Sequence, residues 1–115
     1  MIIAIPTEGN KGLEETVALH FGRCRTYTLI DKEGGIVEII DNTGGHSDEM
    51  LLPPQLLKQH GADVLLCREL GTRALKLCEE IGIAVYVHPS EKVKDLFSLW
   101  KDGKLKKASF KDVCD

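Results

Sequence analysis

The chain has 115 residues, which fits a single compact domain. Its formal net charge of −3 at pH 7 argues against a dedicated binder of duplex nucleic acid, because such proteins usually carry a strongly basic face. Apolar residues make up 43% and charged residues 29%, a composition typical of a globular domain. Apolar runs are far shorter than a membrane span and the N-terminus has no signal-peptide pattern, so we expect a cytoplasmic protein without membrane or nucleic-acid partners.

The four cysteines of the chain are scattered without a C-x-x-C pair. They are Cys24, Cys67, Cys78 and Cys114. A zinc ribbon needs close ligand pairs, and a small disulfide scaffold is denser in cysteine. We therefore expect reduced thiols, and the central question is whether any of them is a metal ligand. Cys78 lies on the apolar face of a predicted helix, which favours a structural role.

The first half of the chain predicts three strands. Residues 1–6 form a short apolar run that proline ends, as in a buried strand. Residues 7–19 are polar and aperiodic, so we expect a loop there. Residues 26–32 and 36–41 are rich in β-branched and aromatic side chains, and the intervening Glu-Gly-Gly predicts a hairpin with a glycine turn.

The second half predicts three helices. Two prolines precede residues 55–60 and suit a first helical turn, whose amide donors lack partners in any case. Apolar positions at helical spacing predict further helices at residues 70–81 and 91–101. Ser90 is the expected N-cap of the last helix.

Between these helices, residues 62–67 and 83–87 are continuous apolar runs, as in the interior strands of a parallel sheet. The predicted order is β-β-β-α-β-α-β-α, and right-handed crossovers place helices on both faces of the sheet. We therefore predict an α/β protein: a three-layer α/β/α sandwich around a mixed five-stranded sheet, in which the second strand alone is antiparallel. Residues 1–103 form the single domain, and residues 104–115 form a short solvated tail.

This topology brings reactive side chains to one edge of the sheet. The second strand starts where the first ends, and the later parallel strands end at the same edge. Ligands of α/β sheets usually bind beyond the carboxyl ends of the strands. His60 and Cys78 are expected at the opposite edge. The segments that converge at the ligand-binding edge carry His20, Cys24, His46, Cys67 and His88.

All four arginines are expected near the same edge, whereas the lysines are spread widely. They are Arg23, Arg25, Arg68 and Arg73. Their planar guanidinium groups match polyoxygen or sulfide-rich anions. The start of the second predicted helix, around Gly71, adds backbone amides and a partial positive charge. Thiolate and imidazole ligands beside anion-attracting groups suit a metal–sulfur cluster of net negative charge.

Simpler structural roles remain open for the same residues. Cys67 ends an apolar strand and suits a small core residue. His46 suits a solvated loop, and His88 suits the end of a strand. Arg68 and Arg73 suit surface pairs with nearby glutamates, which contribute little stability when exposed.

A family resemblance rests on three parts of the chain. The tetrapeptide His20-Phe21-Gly22-Arg23 follows a polar loop and precedes a strand. The first strand reads Ile2-Ile3-Ala4-Ile5-Pro6. The second half carries Gly61-Ala62-Asp63-Val64, Leu70-Gly71-Thr72-Arg73-Ala74-Leu75 and Gly82-Ile83. Over residues 1–103 this combination resembles the dinitrogenase iron–molybdenum cofactor biosynthesis family.

The resemblance implies a ribonuclease H-like α/β/α fold. Members of that family include carriers of the iron–molybdenum cofactor or its iron–sulfur precursor during nitrogenase maturation, and some small stand-alone members bind a molybdenum–copper sulfide cluster. By this resemblance His20 is expected to be a ligand, and cluster-donor or acceptor proteins are the expected partners. Cys24 and Cys67 are not fixed features of the family and would make this chain a stronger thiolate binder, or a binder of a different metal.

We therefore predict a non-enzymatic protein that binds and carries an iron–molybdenum or other metal–sulfur cluster. The neighbouring arginines are expected to lower the pKa of the thiols, because metal-binding thiols must be deprotonated. The expected metal ligands are His20, Cys24 and Cys67. The wider predicted cofactor-binding set is His20, Phe21, Gly22, Arg23, Cys24, Arg68 and Gly71.

Two other classes of function stand beside this one. A metal-free interaction or regulatory module would dock on a partner through the same edge. An enzyme is the third class, but two-metal nuclease chemistry needs clustered carboxylates, and Asp31 and Asp41 are expected at opposite ends of their strands. A thiol redox protein needs a resolving cysteine nearby, which the spacing does not offer.

Overall fold

The computed structural model of the chain describes residues 1–42 and 52–109. Within them it contains a mixed five-stranded sheet and three α-helices, as predicted. The strands are β1 (Ile2–Thr7), β2 (Thr26–Asp31), β3 (Ile36–Asp41), β4 (Val64–Cys67) and β5 (Ala84–Val87). The helices are α1 (Pro53–Gln59), α2 (Thr72–Glu80) and α3 (Val93–Lys101), and a short 3₁₀ turn covers Gly12–Glu14.

The sheet has the strand order β3-β2-β1-β4-β5. β1 pairs antiparallel with β2 and parallel with β4, while β3 pairs antiparallel with β2 and β5 pairs parallel with β4. β2 therefore runs against the other four strands. In the β1–β2 register Thr7 lies opposite Thr26, so the residues just before β2 are brought to the edge where β1 and β4 end.

Helices cover both faces of the sheet because side chains alternate across each strand. One face packs against α1 and α2, and its buried residues include Ala4, Tyr27, Leu29, Leu57, Leu65, Leu75 and Val85. The other face packs against α3, with Ile3, Ile5, Ile30, Leu66, Val93 and Leu96. Burying each large apolar side chain contributes about 1.5–3 kcal/mol, so both layers stabilise the sheet.

The segment 7–19 is more ordered than a plain loop. The buried Glu15 carboxylate accepts hydrogen bonds from the backbone amides of Lys11 at 3.3 Å and Thr16 at 2.7 Å. Val17 then forms a bridge with Thr7. Local hydrogen bonds of this kind leave no periodic apolar pattern, which is why the sequence alone indicated only a loop.

The prediction of Ser90 as an N-cap is wrong. Lys92 precedes the first residue of α3, and the backbone of the same segment pairs with residues 16–17: Val17 N–H donates to the Glu91 carbonyl at 2.8 Å. This pairing keeps residues 91–92 extended, so α3 begins only at Val93. The Ser90 hydroxyl instead lies 2.7 Å from His88 Nδ1.

The described part of the C-terminal tail is mostly exposed, as expected, but it also pairs with the sheet. Lys107 forms a bridge with Tyr86, and the Ala108 amide donates to the Val85 carbonyl at 2.7 Å. Ala108 is only 8% exposed. The outer edge of β5 carries backbone groups that need partners, and the tail supplies some of them. No helix of the described residues is long and apolar enough to cross a bilayer.

Replacing Leu96, which is fully buried between α3 and the sheet, tests whether that layer belongs to the cooperative core. We expect Leu96→Ala to lower the free energy of unfolding by about 2–5 kcal/mol in urea denaturation, because it removes buried methyl groups and leaves a cavity. Val37→Ala, at a side chain that is 52% exposed, is the control and should change it by less than about 0.5 kcal/mol. Equal effects of the two variants would contradict this packing.

Candidate functional site

The predicted His-Phe-Gly-Arg motif forms a tight turn at the carboxyl edge of the sheet. The Arg23 amide donates to the His20 carbonyl at 3.3 Å, and Gly22 has φ +94°. A positive φ at the third position is the mark of a type II turn, in which glycine is favoured because it lacks a β-carbon. The turn geometry thus explains why glycine is the third residue of the motif.

The turn is fixed to the core on one side and open on the other. The Phe21 ring packs against the ring of Tyr27 with centroids 5.8 Å apart, and the Phe21 amide donates to the Glu69 carbonyl at 3.2 Å. His20 forms a parallel bridge with Glu69, in the segment that follows β4. The side chains of His20 and Arg23 remain exposed. Phe21 therefore anchors the turn, and its two polar neighbours face outward.

Asn42 holds the rear of the same turn. Its side-chain amide donates to the Gly22 carbonyl at 3.1 Å and to the Cys24 carbonyl at 2.9 Å, and its backbone amide donates to the Arg25 carbonyl at 3.0 Å. These bonds satisfy three carbonyls that the turn leaves without a strand partner. Asn42 is thus a positioning residue for the motif.

The turn and the segment after β4 enclose a cavity of about 290 Å³. It is lined by His20, Phe21, Arg23, Glu69, Leu70 and Gly71. Four members of the predicted cofactor-binding set therefore meet in one place, and Gly71 brings the N-terminal end of α2 to its wall. The remaining three members, Gly22, Cys24 and Arg68, lie outside this lining.

The two thiols expected beside His20 are buried. Cys24 is 5% exposed and Cys67 is fully buried, both within the apolar cluster on the α1–α2 face. The prediction that arginines lower their pKa values is wrong: burial raises the pKa of Cys24, and burial followed by the charge of Cys78 raises that of Cys67. A thiolate in this apolar layer would lose its hydration, so both groups hold their protons at neutral pH.

Cys78 and Tyr27 share this buried environment. Cys78 belongs to the same apolar cluster as Cys67, and its carbonyl accepts a hydrogen bond from the Ile83 amide, just before β5, at 2.8 Å. Burial raises its own pKa to about 12. Burial and the neighbouring Cys24 raise the pKa of Tyr27. The Tyr27 hydroxyl has no conventional hydrogen-bond acceptor or donor among the described residues, and the Cys24 thiol is its polar neighbour.

The four arginines do not share one rim, contrary to expectation. Arg23 lines the cavity described above. Arg25 lines a separate cavity of about 500 Å³ with Glu8, Asn10 and Asp41 among its walls. Arg73 lies along a groove beside α2. Arg68 is half-buried, and its Nε is buried without a hydrogen-bond partner among the described residues. The four lie on three different segments: Arg23 and Arg25 before β2, Arg68 after β4, and Arg73 in α2.

The remaining histidines take distinct places. His88 lies at the strand edge, where its backbone amide donates to the Cys67 carbonyl at 3.0 Å. The Ser90 amide donates to His88 Nδ1 at 3.2 Å. His60 follows α1 and pairs with Glu38 at 3.0 Å. His46 and Cys114 lie outside the described residues.

The described residues hold no group of three or more histidine, cysteine, aspartate or glutamate side chains arranged to bind a metal ion. His20, Cys24 and Cys67 therefore do not form a ready-made ligand set, because one is exposed and two are enclosed in the core. Asp31 and Asp41 occupy opposite ends of the β2–β3 hairpin, as predicted from the strand order.

Sequence reasoning missed Asn42, Glu69 and Leu70 as parts of this site. The signal for Asn42 was the hairpin register: with Thr26 opposite Asp41, the next residue must lie beside Arg25. Glu69 and Leu70 stand between two residues already singled out, Arg68 and Gly71. A loop that follows a buried parallel strand is a usual place for ligand contacts.

These features define a mixed α/β domain whose sheet carries an exposed histidine–arginine turn and a small cavity at its carboxyl edge. The chain belongs to the dinitrogenase iron–molybdenum cofactor family, whose model matches residues 1–103. The matched range ends just after α3 and includes every described residue of the site.

Individual relatives extend this finding. An uncharacterized protein of Methanocaldococcus jannaschii is 28% identical over 112 residues, which cover 93% of this chain and 91% of that protein. The apo form of the orange protein from Desulfovibrio gigas is 27% identical with a TM-score of 0.79, covering 94% of this chain and 92% of that one. A NifB-like protein from Thermotoga is 25% identical with a TM-score of 0.73, covering 92% and 91%.

Removing the side chain of Asn42 tests its role behind the turn. We expect Asn42→Ala to lower the free energy of unfolding by about 1–3 kcal/mol, because the carbonyls of Gly22 and Cys24 lose their donor in a part-buried place. Urea denaturation measures this, and Asn10→Ala, at an exposed asparagine, is the matched control. Equal stabilities of the two variants would show that the turn does not need Asn42.

The buried thiols also predict how stability depends on pH. The pKa values of Cys24, Cys67 and Cys78 are raised above the ordinary value of 9.0, so above that pH the unfolded chain releases protons that the folded chain keeps. Stability is then fully present below about pH 8 and falls toward pH 10, by up to about 1.4 kcal/mol per pH unit for each thiol. Urea denaturation across this range measures the slope. It should be shallower in Cys67→Ala, and identical slopes would refute the assignment.

Proposed function

We propose that this protein binds a metal–sulfur cluster as cargo and carries it without catalysing a reaction. The observation that supports this most directly is the cavity at the sheet edge, where an exposed imidazole, a guanidinium group and the amide end of a helix face one space. Membership of the dinitrogenase iron–molybdenum cofactor family indicates a role tied to the handling of such cofactors. We also propose that the fold is ribonuclease H-like, as the family resemblance implies.

The residues of the cavity suit an anionic cluster held by few bonds. His20 offers an exposed imidazole, a borderline ligand for iron, copper and related metals. Arg23 offers donors to sulfide or oxide, and the α2 end adds a partial positive charge beside Gly71. Together they must offset the negative charge of Glu69, which lines the same cavity. A site with a single open imidazole favours reversible loading, which a carrier requires.

The buried thiols limit what the resting protein can contribute. Ligation by Cys24 would require its side chain to leave the apolar cluster and to lose a proton that burial stabilises. Cys67 is enclosed more completely and ends a central strand. In our proposal His20 is the principal ligand. Cys24 and Cys67 remain predicted ligands, and mutagenesis tests each of them separately.

A metal-free interaction module is the second candidate. It is favoured by the absence, within residues 1–42 and 52–109, of three ligand side chains grouped around one point. In this case the exposed turn at His20 and Arg23 would contact a partner protein directly, and metals would not alter the complex.

Anaerobic reconstitution with iron, molybdenum or copper together with sulfide tests the carrier function. We expect the desalted protein to retain metal and visible absorption, and His20→Ala to retain at least about tenfold less, because even loss of a contact that supports a ligand costs on the order of 10–100-fold in metal affinity. His60→Ala is the matched control, since His60 lies away from the cavity and pairs with Glu38.

Metal analysis of two further variants shows which thiols are ligands and which are only structural. Cys67→Ala should retain as much metal as the unmodified protein if Cys67 is only a core residue, and loss of metal in Cys24→Ala would add that thiol to the ligand set. If the unmodified protein and His20→Ala both retain no metal, the carrier function is excluded. Partner binding that chelators leave unchanged would then support the interaction module.

A further inference from the structure

A second and larger cavity lies next to the first. It is a groove of about 630 Å³ between the start of α1 and the outer face of α2. Its apolar walls are formed by Phe21, Leu52, Pro53, Pro54, Ala74 and Leu77. Small-molecule sites typically measure about 300–1,000 Å³ and are lined mainly by apolar side chains with a few polar groups. The groove meets this description, and the cluster-carrying proposal makes no use of it.

The walls of the groove are held in place by local structure. Two successive prolines form the first turn of α1, where their fixed φ angles restrict the backbone. On the opposite wall Ala74 and Leu77 stand three residues apart on α2 and so share a face of the helix. Leu52 is 46% exposed, so its side chain is accessible to a ligand in the groove.

The charges of the groove are unevenly distributed. Arg73 and Lys76 are exposed, and neither has an ion-pair partner within the described part of the chain. Glu80 lies four residues after Lys76, where helical spacing lets it offset the lysine charge. With two cations and one carboxylate in its lining, the groove carries a net positive charge, in a chain whose overall charge is −3.

We propose that this groove binds an organic anion with an apolar chain and a terminal carboxylate. The chain packs against Leu52 and Leu77, and the carboxylate pairs with the guanidinium of Arg73, which accommodates two parallel hydrogen bonds. A neutral apolar ligand would leave the arginine unused, and a cation would meet repulsion from it. The ligand would lie beside the cluster cavity, since Phe21 and Gly71 line both spaces.

Titration of the metal-free protein with decanoate, followed by amide chemical shifts in NMR, tests this site. We expect saturable shifts at Leu52, Ala74 and Leu77, and at least about tenfold weaker binding of decyltrimethylammonium, which has the same chain and the opposite charge. Arg73→Glu should weaken decanoate binding at least about tenfold. Lys106→Glu is the matched control, because it makes the same charge change at an exposed lysine outside the groove.

Three results would overturn the proposal. They are the absence of saturable shifts at the groove, equal affinity for the anion and the cation, and equal effects of Arg73→Glu and Lys106→Glu. Weaker decanoate binding in Leu77→Asn, which adds no charge, would support the apolar contact, and unchanged binding in that variant is a fourth result that would overturn the proposal. Because no metal is present, these outcomes are independent of whether His20 binds a cluster.

Discussion

Antiparallel pairing of β1 with β2 is the constraint on which the candidate site depends. The pairing ends at Thr7 and Thr26, whose buried hydroxyl oxygens lie 2.6 Å apart, and Thr28 lies 3.0 Å from the same Thr7 oxygen. The Thr26 hydroxyl also donates to the Gly9 carbonyl at 2.6 Å. Shifting this register by one residue would put Thr7 and the β2 threonines on opposite faces, and these buried hydroxyls would lose their partners. The turn that precedes β2 is thereby held at the carboxyl edge of the sheet.

Desolvation decides the chemistry available beside that turn. Cys24 directly follows Arg23 in sequence, yet its thiol lies in the core while the guanidinium lies in solvent. The interaction of an exposed charge with a buried group is weakened by water, whereas the cost of ionising a thiol in an apolar layer is not. Burial therefore outweighs the nearby positive charge. The accessible donors are the imidazole of His20 and the guanidinium of Arg23, which suit a weakly held and exchangeable cargo.

The two cavities that Phe21 lines differ in polarity. The smaller one is polar and borders the exposed turn, and the larger one is mainly apolar with Arg73 in its lining. Phe21 separates them while its ring packs against Tyr27 in the core. Both surfaces therefore include the same anchored ring in their lining.

Sequence by itself determined the features that depend on near neighbours along the chain. Apolar periodicity marked the strands and helices, and the run His20, Phe21, Gly22 and Arg23 marked a site through its family resemblance. Only the tertiary structure decided which side chains reach solvent. Cys67 and Arg68 are adjacent, but one belongs to the core and the other to the edge. Asn42 reaches Gly22 across twenty residues. Such contacts follow from how distant segments pack, and a local pattern carries no record of them.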